Sequence, residues 1–364
     1  MWKKGLASIA FISIIGLYTG QAIIHGQFTD VGEHWATGSI QRAIELKLVD
    51  GYPDGTFKPE QEVSRAEFVK LVASAVQASP VTSHASAKES NWYDAYVALL
   101  KKEGVLRESD FANEDFRQAI SRVEMAKIAV RSSLAELRDP KVALDDATAM
   151  YYATKSGLIQ GLNKGELAPQ GLTTRAQSVT VLERILKVRA GEKLPVDKYA
   201  AGRAEVALTG TNFETAYGKR TALQLPAEYD LTSDVKMTIK EAWFFDSSEE
   251  GSPVWDLIEG GVRPDQKSLE DSYYFAYKVE YDMGSKARDY YVRVADYFKM
   301  IGWTHVFVTG HDDRVQILET GTKEGWMIYA LSKSKNDPNT QKHNLQYSGY
   351  EVNNINFDMF ADQE

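Results

Sequence analysis

Apolar positions in the first half of the chain recur at the three- and four-residue spacing of amphipathic helices. The first such helix is predicted from about Trp35 to Leu48, and the second begins at Ser64. The stretch Gly51-Tyr52-Pro53-Asp54-Gly55-Thr56-Phe57 separates them and has the composition of a turn. The pattern therefore predicts a unit made of a helix, a glycine-rich loop and a second helix.

This unit occurs three times along the chain. The second helix of each copy opens with a shared motif: Ser64-Arg65-Ala66-Glu67, Ser121-Arg122-Val123-Glu124 and Thr174-Arg175-Ala176-Gln177. A repeat of about 50 residues buries its apolar face by packing against its neighbours. We therefore predict three packed helical repeats, at residues 28–78, 90–136 and 142–188.

The motif has a structural half and an unexplained half. Its hydroxyl residue and the acid or amide three positions later form a capping box, which satisfies exposed N–H groups at a helix start. The arginine between them is unfavourable there, because a helix N-terminus carries partial positive charge. A single arginine would be interpreted as a solvated or salt-bridged surface residue. Arg65, Arg122 and Arg175 at three matching positions instead favour sites that hold an anion.

The second half of the chain changes to the two-residue alternation of β-strands. One helix is predicted there, from about Ser285 to Met300. The expected architecture is multidomain, with an all-α repeat domain, a linker over residues 189–209 and an α+β domain with a mainly antiparallel sheet over residues 210–364. Strands are predicted at Val235–Ile239, Tyr273–Tyr281, Trp303–Thr309, Arg314–Leu318 and Trp326–Leu331.

Candidate chemistry in this second half is sparse. No zinc-protease, nucleophile-elbow or phosphate-loop motif occurs there, and no cofactor or metal ion is predicted. His311-Asp312-Asp313 is interpreted as a polar hairpin turn rather than a set of metal ligands. A pair of catalytic carboxylates for glycoside hydrolysis stays open, because such residues pair in space and not in sequence. Four tryptophans are interpreted as core residues, although their rings could also stack on sugars: Trp243, Trp255, Trp303 and Trp326.

Composition narrows the possible partners. The chain has 364 residues, a formal net charge of −9 and no cysteine. The cysteine count excludes disulfides and thiolate chemistry, and the net charge argues against binding nucleic acid through a general positive field. Residues 1–26, with Lys3 and Lys4 before an apolar run, are typical of a cleaved secretory signal. The alternative is an uncleaved membrane anchor reaching Ile24, whereas cleavage would leave no stable membrane span.

The first repeat resembles a known family. Phe28-Thr29-Asp30-Val31, His34-Trp35-Ala36, the glycine-rich loop and Ser64-Arg65-Ala66-Glu67 together look like one S-layer homology domain. The resemblance implies that the triplet folds into a pseudo-threefold helical spindle. It also implies that the spindle binds secondary cell-wall polysaccharide of Gram-positive-type bacteria, a polymer that carries pyruvate ketals on amino sugars. In such proteins the motif arginine pairs with the pyruvate carboxylate in grooves between repeats.

Carried over residue by residue, the resemblance implies a set of carbohydrate-binding positions. The second copy departs from the family pattern, since Glu108 and Ala112 stand where the first copy has Gly51 and Gly55. The third has Lys164 in place of Asp54. We therefore expect the site around Arg65 to be the most complete. The implied binding residues are Arg65, Arg122, Arg175, Trp35, Trp92, Gly51, Asp54 and Gly161.

Two functions follow as hypotheses. The first is a secreted surface protein, anchored non-covalently to pyruvylated secondary cell-wall polysaccharide, that displays a non-catalytic C-terminal domain to other surface proteins. The alternative is a wall-anchored enzyme that acts on polysaccharide or peptide through the C-terminal domain. A third possibility is that the diverged repeats serve only as a scaffold.

Overall fold

The computed structural model describes residues 28–76, 91–258, 272–284, 291–293, 298–300, 304–306, 314–316, 321–333 and 349–358. The predicted signal segment, Trp303 and His311-Asp312-Asp313 lie outside these residues. The helices of the described part are α1 (Thr37–Glu45), α2 (Arg65–Val76), α3 (Asp94–Lys102), α4 (Arg122–Ser133), α5 (Asp146–Lys155), α6 (Arg175–Arg189), α7 (Lys198–Thr209) and α8 (Phe213–Tyr217).

The first six helices form the three predicted helix–loop–helix pairs, and capping boxes start the second helix of each pair. In α4 the Ser121 hydroxyl accepts a hydrogen bond from the Glu124 N–H at 3.3 Å, and the Glu124 carboxylate accepts from the Ser121 N–H at 3.0 Å. Ser64 with Glu67, and Thr174 with Gln177, repeat the same exchange. The predicted structural role of the motif is confirmed in all three copies.

The three motifs meet at one centre. The Val63 N–H donates to the Thr173 carbonyl at 3.0 Å, the Thr173 N–H to Ile120 at 3.0 Å, and the Ile120 N–H to Val63 at 2.8 Å. Each of these residues lies two positions before its motif arginine. The bonds therefore close a ring in which every repeat is joined to both of the others.

A shared apolar core lies beneath this ring. Val72 of α2, Ile128 of α4 and Leu182 of α6 are fully buried in the same cluster. Burying a side chain of this size stabilises a fold by about 1.5–3 kcal/mol. The three second helices consequently hold the triplet together, and their N-termini are fixed relative to one another.

After α8, the described chain is built mainly from antiparallel strands. A five-stranded sheet has the order β1-β2-β3-β8-β6, a three-stranded sheet has the order β10-β9-β5, and β4 pairs with β7. The strands are β1 (Ala227–Asp230), β2 (Lys236–Asp246), β3 (Ser272–Asp282), β4 (Tyr291–Arg293), β5 (Phe298–Met300), β6 (Thr304–Val306), β7 (Arg314–Gln316), β8 (Thr322–Ser332), β9 (Gly349–Val352) and β10 (Ile355–Asp358).

The predicted strands are confirmed, whereas the helix predicted from about Ser285 to Met300 is wrong. Its described residues form β4 and β5. Phe298 and Met300 are buried on either side of exposed Lys299, and this two-residue period matches their pairing with β9. Although the sequence of this segment has helical spacing, β5 is a strand because the tertiary fold places it beside β9.

Both faces of the five-stranded sheet carry apolar clusters. The larger cluster includes Phe244, Phe275 and Tyr277. On the other face, Trp243 is buried as predicted, together with Val206 of α7. Trp255 and Trp326 are half-buried at the rim of that second cluster.

Helix α7 lies within the stretch predicted as a linker. It packs against α5 on one side and against β2 on the other. The apolar residues that it buries are mostly alanines, such as Ala200 and Ala204, so its hydrophobic periodicity is faint in the sequence. None of the helices in the described ranges is both long and apolar enough to cross a membrane.

Candidate functional site

The motif arginines all reach across to the loop of a different repeat. In that loop, Arg122 and Arg175 each donate to two main-chain carbonyls, whereas Arg65 donates to one main-chain carbonyl and to the side-chain amide of Asn113. The acceptors are Asn113 and Asp115 of the second repeat for Arg65, Gln160 and Leu167 of the third for Arg122, and Asp50 and Phe57 of the first for Arg175. These contacts define three grooves between repeats, which we call A, B and C. In each groove the loop comes from one repeat and the arginine from another.

Groove A contains the loop of the first repeat. It is a cavity of about 370 Å³ whose lining includes Asp50, Lys70, Trp92 and Arg175. The Arg175 guanidinium donates to the Phe57 carbonyl at 3.0 Å and to that of Asp50 at 3.2 Å. Trp92 of the second repeat is 57% exposed and forms an open wall. Groove A thus combines a half-buried cation with a flat aromatic surface.

Groove B contains the loop of the third repeat. It is a cavity of about 290 Å³ lined by Arg122, Arg184 and Trp35, among others. Arg122 is only 5% exposed, and its guanidinium donates to the Gln160 carbonyl at 2.8 Å. Arg184 donates to the Leu158 carbonyl at 3.3 Å. Trp35 of the first repeat is 63% exposed at the rim.

The two arginines of groove B lack carboxylate partners. No carboxylate oxygen of the described residues lies within 4.0 Å of either guanidinium. Burial lowers the pKa of both side chains, and the charge of Arg184 lowers the pKa of Arg122 further, while the charges of Glu166 and Glu183 partly offset this by raising the pKa of Arg122 and Arg184 respectively. Their remaining N–H groups have no acceptor within the described chain. Two partly desolvated cations side by side make the groove attractive to an anion.

Groove C, around Arg65, is filled by internal ion pairs. The Arg65 guanidinium binds the Glu124 carboxylate in a bidentate manner at 2.5 and 3.2 Å, and both residues are buried. Lys127 pairs with Asp146 at 2.7 Å. Asp145 occupies the position of the tryptophan that forms a wall in the other two grooves. Among its described residues, groove C therefore has no unpaired arginine or lysine and no tryptophan in the wall position.

A second arginine position distinguishes the grooves. Arg131 and Arg184 both lie nine residues after a motif arginine. Arg131 is paired with Asp110 at 2.6 and 2.7 Å, and both side chains are buried, whereas Arg184 forms no ion pair with any residue that the structure describes. Sequence reasoning did not single out Arg184, although its recurrence at the same offset as Arg131 was a usable signal.

The structure separates residues that were expected to act together. Arg65 contacts the loop of the second repeat, so it shares no groove with Gly51, Asp54 or Trp35. The expected grouping around Arg65 is wrong, because the ring of repeats offsets each arginine from its own loop. Any role of the individual residues in carbohydrate binding stays a prediction.

The remaining predicted residues shape the loops. Gly51 packs on the Phe28 ring so closely that a Cβ would lie 1.9 Å from a ring carbon. Asp54 is exposed and accepts bonds from the Thr56 N–H at 3.0 Å and hydroxyl at 2.6 Å, which lower the pKa of Asp54. Gly161 lines groove B.

Comparison with known proteins identifies the family that the repeats resemble. The S-layer homology domain model matches residues 27–69 and 145–177, in the first and third repeats. The chain is 27% identical over 162 residues to the cellulosome-anchoring protein of Acetivibrio thermocellus, covering 41% of this chain and 36% of that protein. It is 23% identical over 284 residues to the S-layer protein of Bacillus licheniformis, covering 73% of this chain and 31% of that protein.

An enzyme is also among the similar proteins. Exoglucanase XynX of Acetivibrio thermocellus is 26% identical over 176 residues, which cover 44% of this chain and 16% of that protein. The chain spans 36% or less of the length of each of these three relatives. The repeats and the family-model matches agree that the chain carries S-layer homology domains in its N-terminal half, and its relatives include a cellulosome-anchoring protein and an S-layer protein.

Proposed function

We propose that the repeat triplet anchors the chain to pyruvylated secondary cell-wall polysaccharide through grooves A and B. The observation that carries this proposal is groove B, where Arg122 and Arg184 lie beside exposed Trp35 without a carboxylate partner in the described residues. A pyruvate ketal on a sugar combines the two features that such a groove would recognise, a carboxylate and an apolar ring face.

The groove and a pyruvylated sugar are chemically complementary. A guanidinium presents a planar set of donors that matches a carboxylate, and one charge-assisted hydrogen bond contributes about 1.5–3 kcal/mol. An exposed indole gives a sugar ring a flat surface on which to stack. A polymer with repeated pyruvate groups would engage both grooves of one chain, and the second contact would then form at high effective concentration.

Residues of all three repeats contribute to each groove, so in this proposal the three repeats bind as a unit. Groove A takes its loop from the first repeat, Trp92 from the second and Arg175 from the third. The closed ring of hydrogen bonds among Val63, Ile120 and Thr173 supports a pseudo-threefold relation between the repeats. In this proposal groove C has lost binding, because Glu124 supplies internally the carboxylate that a ligand would bring.

We propose further that the C-terminal domain is displayed to surface-protein partners and is not catalytic. Apolar clusters occupy both faces of its five-stranded sheet. Among the charged side chains of this sheet, Lys240 pairs with Glu280 at 2.6 Å and with Glu324 at 2.9 Å. Such charges are used in structure rather than held free for acid–base chemistry.

The test is binding of the full chain to purified cell-wall sacculi before and after chemical removal of pyruvate. The parent is expected to bind intact sacculi and to lose binding after depyruvylation. Combining Arg175→Ala with Arg122→Ala should abolish binding, while Arg65→Ala should bind like the parent at temperatures at which it is folded. Equal binding to depyruvylated walls would overturn the proposed ligand.

A further inference from the structure

The loop of groove B is held from outside the repeat triplet. Its Gln160–Gly161 peptide group is engaged at both ends: Arg122 donates to the Gln160 carbonyl at 2.8 Å, and the Gly161 N–H donates to Asp197 at 3.1 Å. Asp197 lies just before α7, beyond the third repeat. The peptide that positions the groove arginine is therefore itself positioned by a carboxylate of the next segment.

Asp197 is well fixed for this role. One of its carboxylate oxygens accepts the N–H groups of Tyr199 at 3.0 Å and Ala200 at 3.1 Å, capping α7, while the other accepts from Gly161. An anion on the donor side of a peptide and a cation on its acceptor side polarise that peptide in the same direction. The carbonyl offered to Arg122 is strengthened accordingly.

Helix α7 also presses on the turn that follows Gly161. Gly165 has a φ of +72°, and a Cβ there would lie 2.5 Å from Tyr199 atoms. Arg203 donates to the Lys164 carbonyl at 3.2 Å. The loop of groove B is thus packed against the first turns of α7.

The C-terminal domain forms ion pairs with the loop of groove B and with α7. Lys164, in the loop turn, pairs with Asp256 at 3.1 Å. Lys198, at the start of α7, pairs with Glu249 at 2.6 Å. Both acids belong to the segment that follows β2, so the domain contacts the loop and the helix that supports it.

The loop of groove A is supported differently from the loop of groove B. Its loop is supported by the first repeat itself, where Phe28 packs on Gly51 and Asp30 accepts the N–H groups of Phe57 at 2.9 Å and Lys58 at 2.8 Å. No contact of comparable kind from α7 or the C-terminal sheets reaches that loop within the described residues.

We infer that α7 and the C-terminal domain complete groove B, that Asp197 is a positioning residue for it, and that affinity at groove B, unlike groove A, depends on how the C-terminal domain is seated. This inference rests on the proposed function for its ligand. By linkage, a ligand in groove B stabilises the seating of the domain by the same factor. The displayed domain and one of its two anchor sites are then a coupled pair.

The test uses full-length variants with one groove each. Arg175→Ala leaves groove B, and Arg122→Ala with Arg184→Ala leaves groove A. The probe is the methyl glycoside of an N-acetylhexosamine with one pyruvate ketal, titrated by calorimetry. Asp197→Ala is expected to raise the Kd about tenfold in the groove B background, as for loss of a charge-assisted bond, and less than about twofold in the groove A background. Equal effects in both backgrounds, or none in either, would overturn the inference.

Two further measurements separate positioning from general stability. In the groove B background, Lys164→Glu and Asp256→Lys should each lower the affinity for the probe. The double variant, in which the two charges are exchanged, should recover that affinity. If it does not, the contact with the C-terminal domain does not support groove B. Hydrogen exchange of unliganded protein should rise over residues 158–166 in Asp197→Ala and stay unchanged over residues 48–58. If neither background binds the probe, the proposed function fails, and unchanged exchange over residues 158–166 overturns the positioning role independently.

Discussion

Replacing Arg65 with alanine should damage stability rather than wall binding. The side chain is 5% exposed, and its guanidinium binds Glu124, Asn113 and the Asp115 carbonyl. Its removal leaves the Glu124 carboxylate, itself nearly buried, without its cation. Breaking a buried ion pair in this way costs about 3–5 kcal/mol. Because the side chain of Glu124 keeps 11% exposure, the lower end, about 3 kcal/mol, is expected.

The measurement is urea unfolding of the full chain followed by far-UV circular dichroism, together with a thermal melt. A loss of about 3 kcal/mol should lower the Tm of the helical part by about 6–12 °C. Arg175→Ala is the matched control, since Arg175 is half-exposed and donates only to main-chain carbonyls, at an expected cost of about 1 kcal/mol. Arg175→Ala should instead lose ligand binding at groove A.

A double variant checks the assigned cause. Adding Glu124→Gln to Arg65→Ala removes the stranded charge, so the pair should be less destabilised than the sum of the single changes. The reasoning is refuted if Arg65→Ala unfolds within about 0.5 kcal/mol of the parent and no longer binds sacculi, because Arg65 would then be a ligand-binding residue rather than a structural one.

Three other outcomes are expected. Trp35→Ala should weaken probe binding in the groove B background and leave the groove A background unchanged, with Trp92→Ala showing the reverse in calorimetry. Sacculus binding should fall less than about tenfold between about 50 and 200 mM salt, against about 10³–10⁵ for a general polyelectrolyte contact, because the cations are local and partly buried. Burial raises the pKa of Glu205 above its ordinary value of 4.5. The free energy of unfolding should therefore fall as pH rises from 4.5 through the raised pKa. Glu205→Gln should reduce this pH dependence when the free energy of unfolding is measured in urea at a series of pH values.

Local rules accounted for much of the fold. The capping boxes at Ser64, Ser121 and Thr174 depend on residues three positions apart, so the sequence alone could identify them. The long strands β2, β3 and β8 likewise follow from alternation within each segment. Helix α7 was missed because alanines carry little hydrophobic contrast, and β5 was misread because its pairing partner is distant in sequence.

From the sequence alone it follows that three related units exist, that each presents an arginine at a helix start, and that these units resemble S-layer homology domains. Which arginine meets which loop follows only from the packing of the repeats in three dimensions. That assignment runs through hydrogen bonds between repeats, so Arg65 faces Glu124 while Arg122 and Arg184 remain unpaired by carboxylates in the described chain. The physical reason is that an arginine's role is set by the charges near it in space, and a ring of repeats places those charges on another part of the chain.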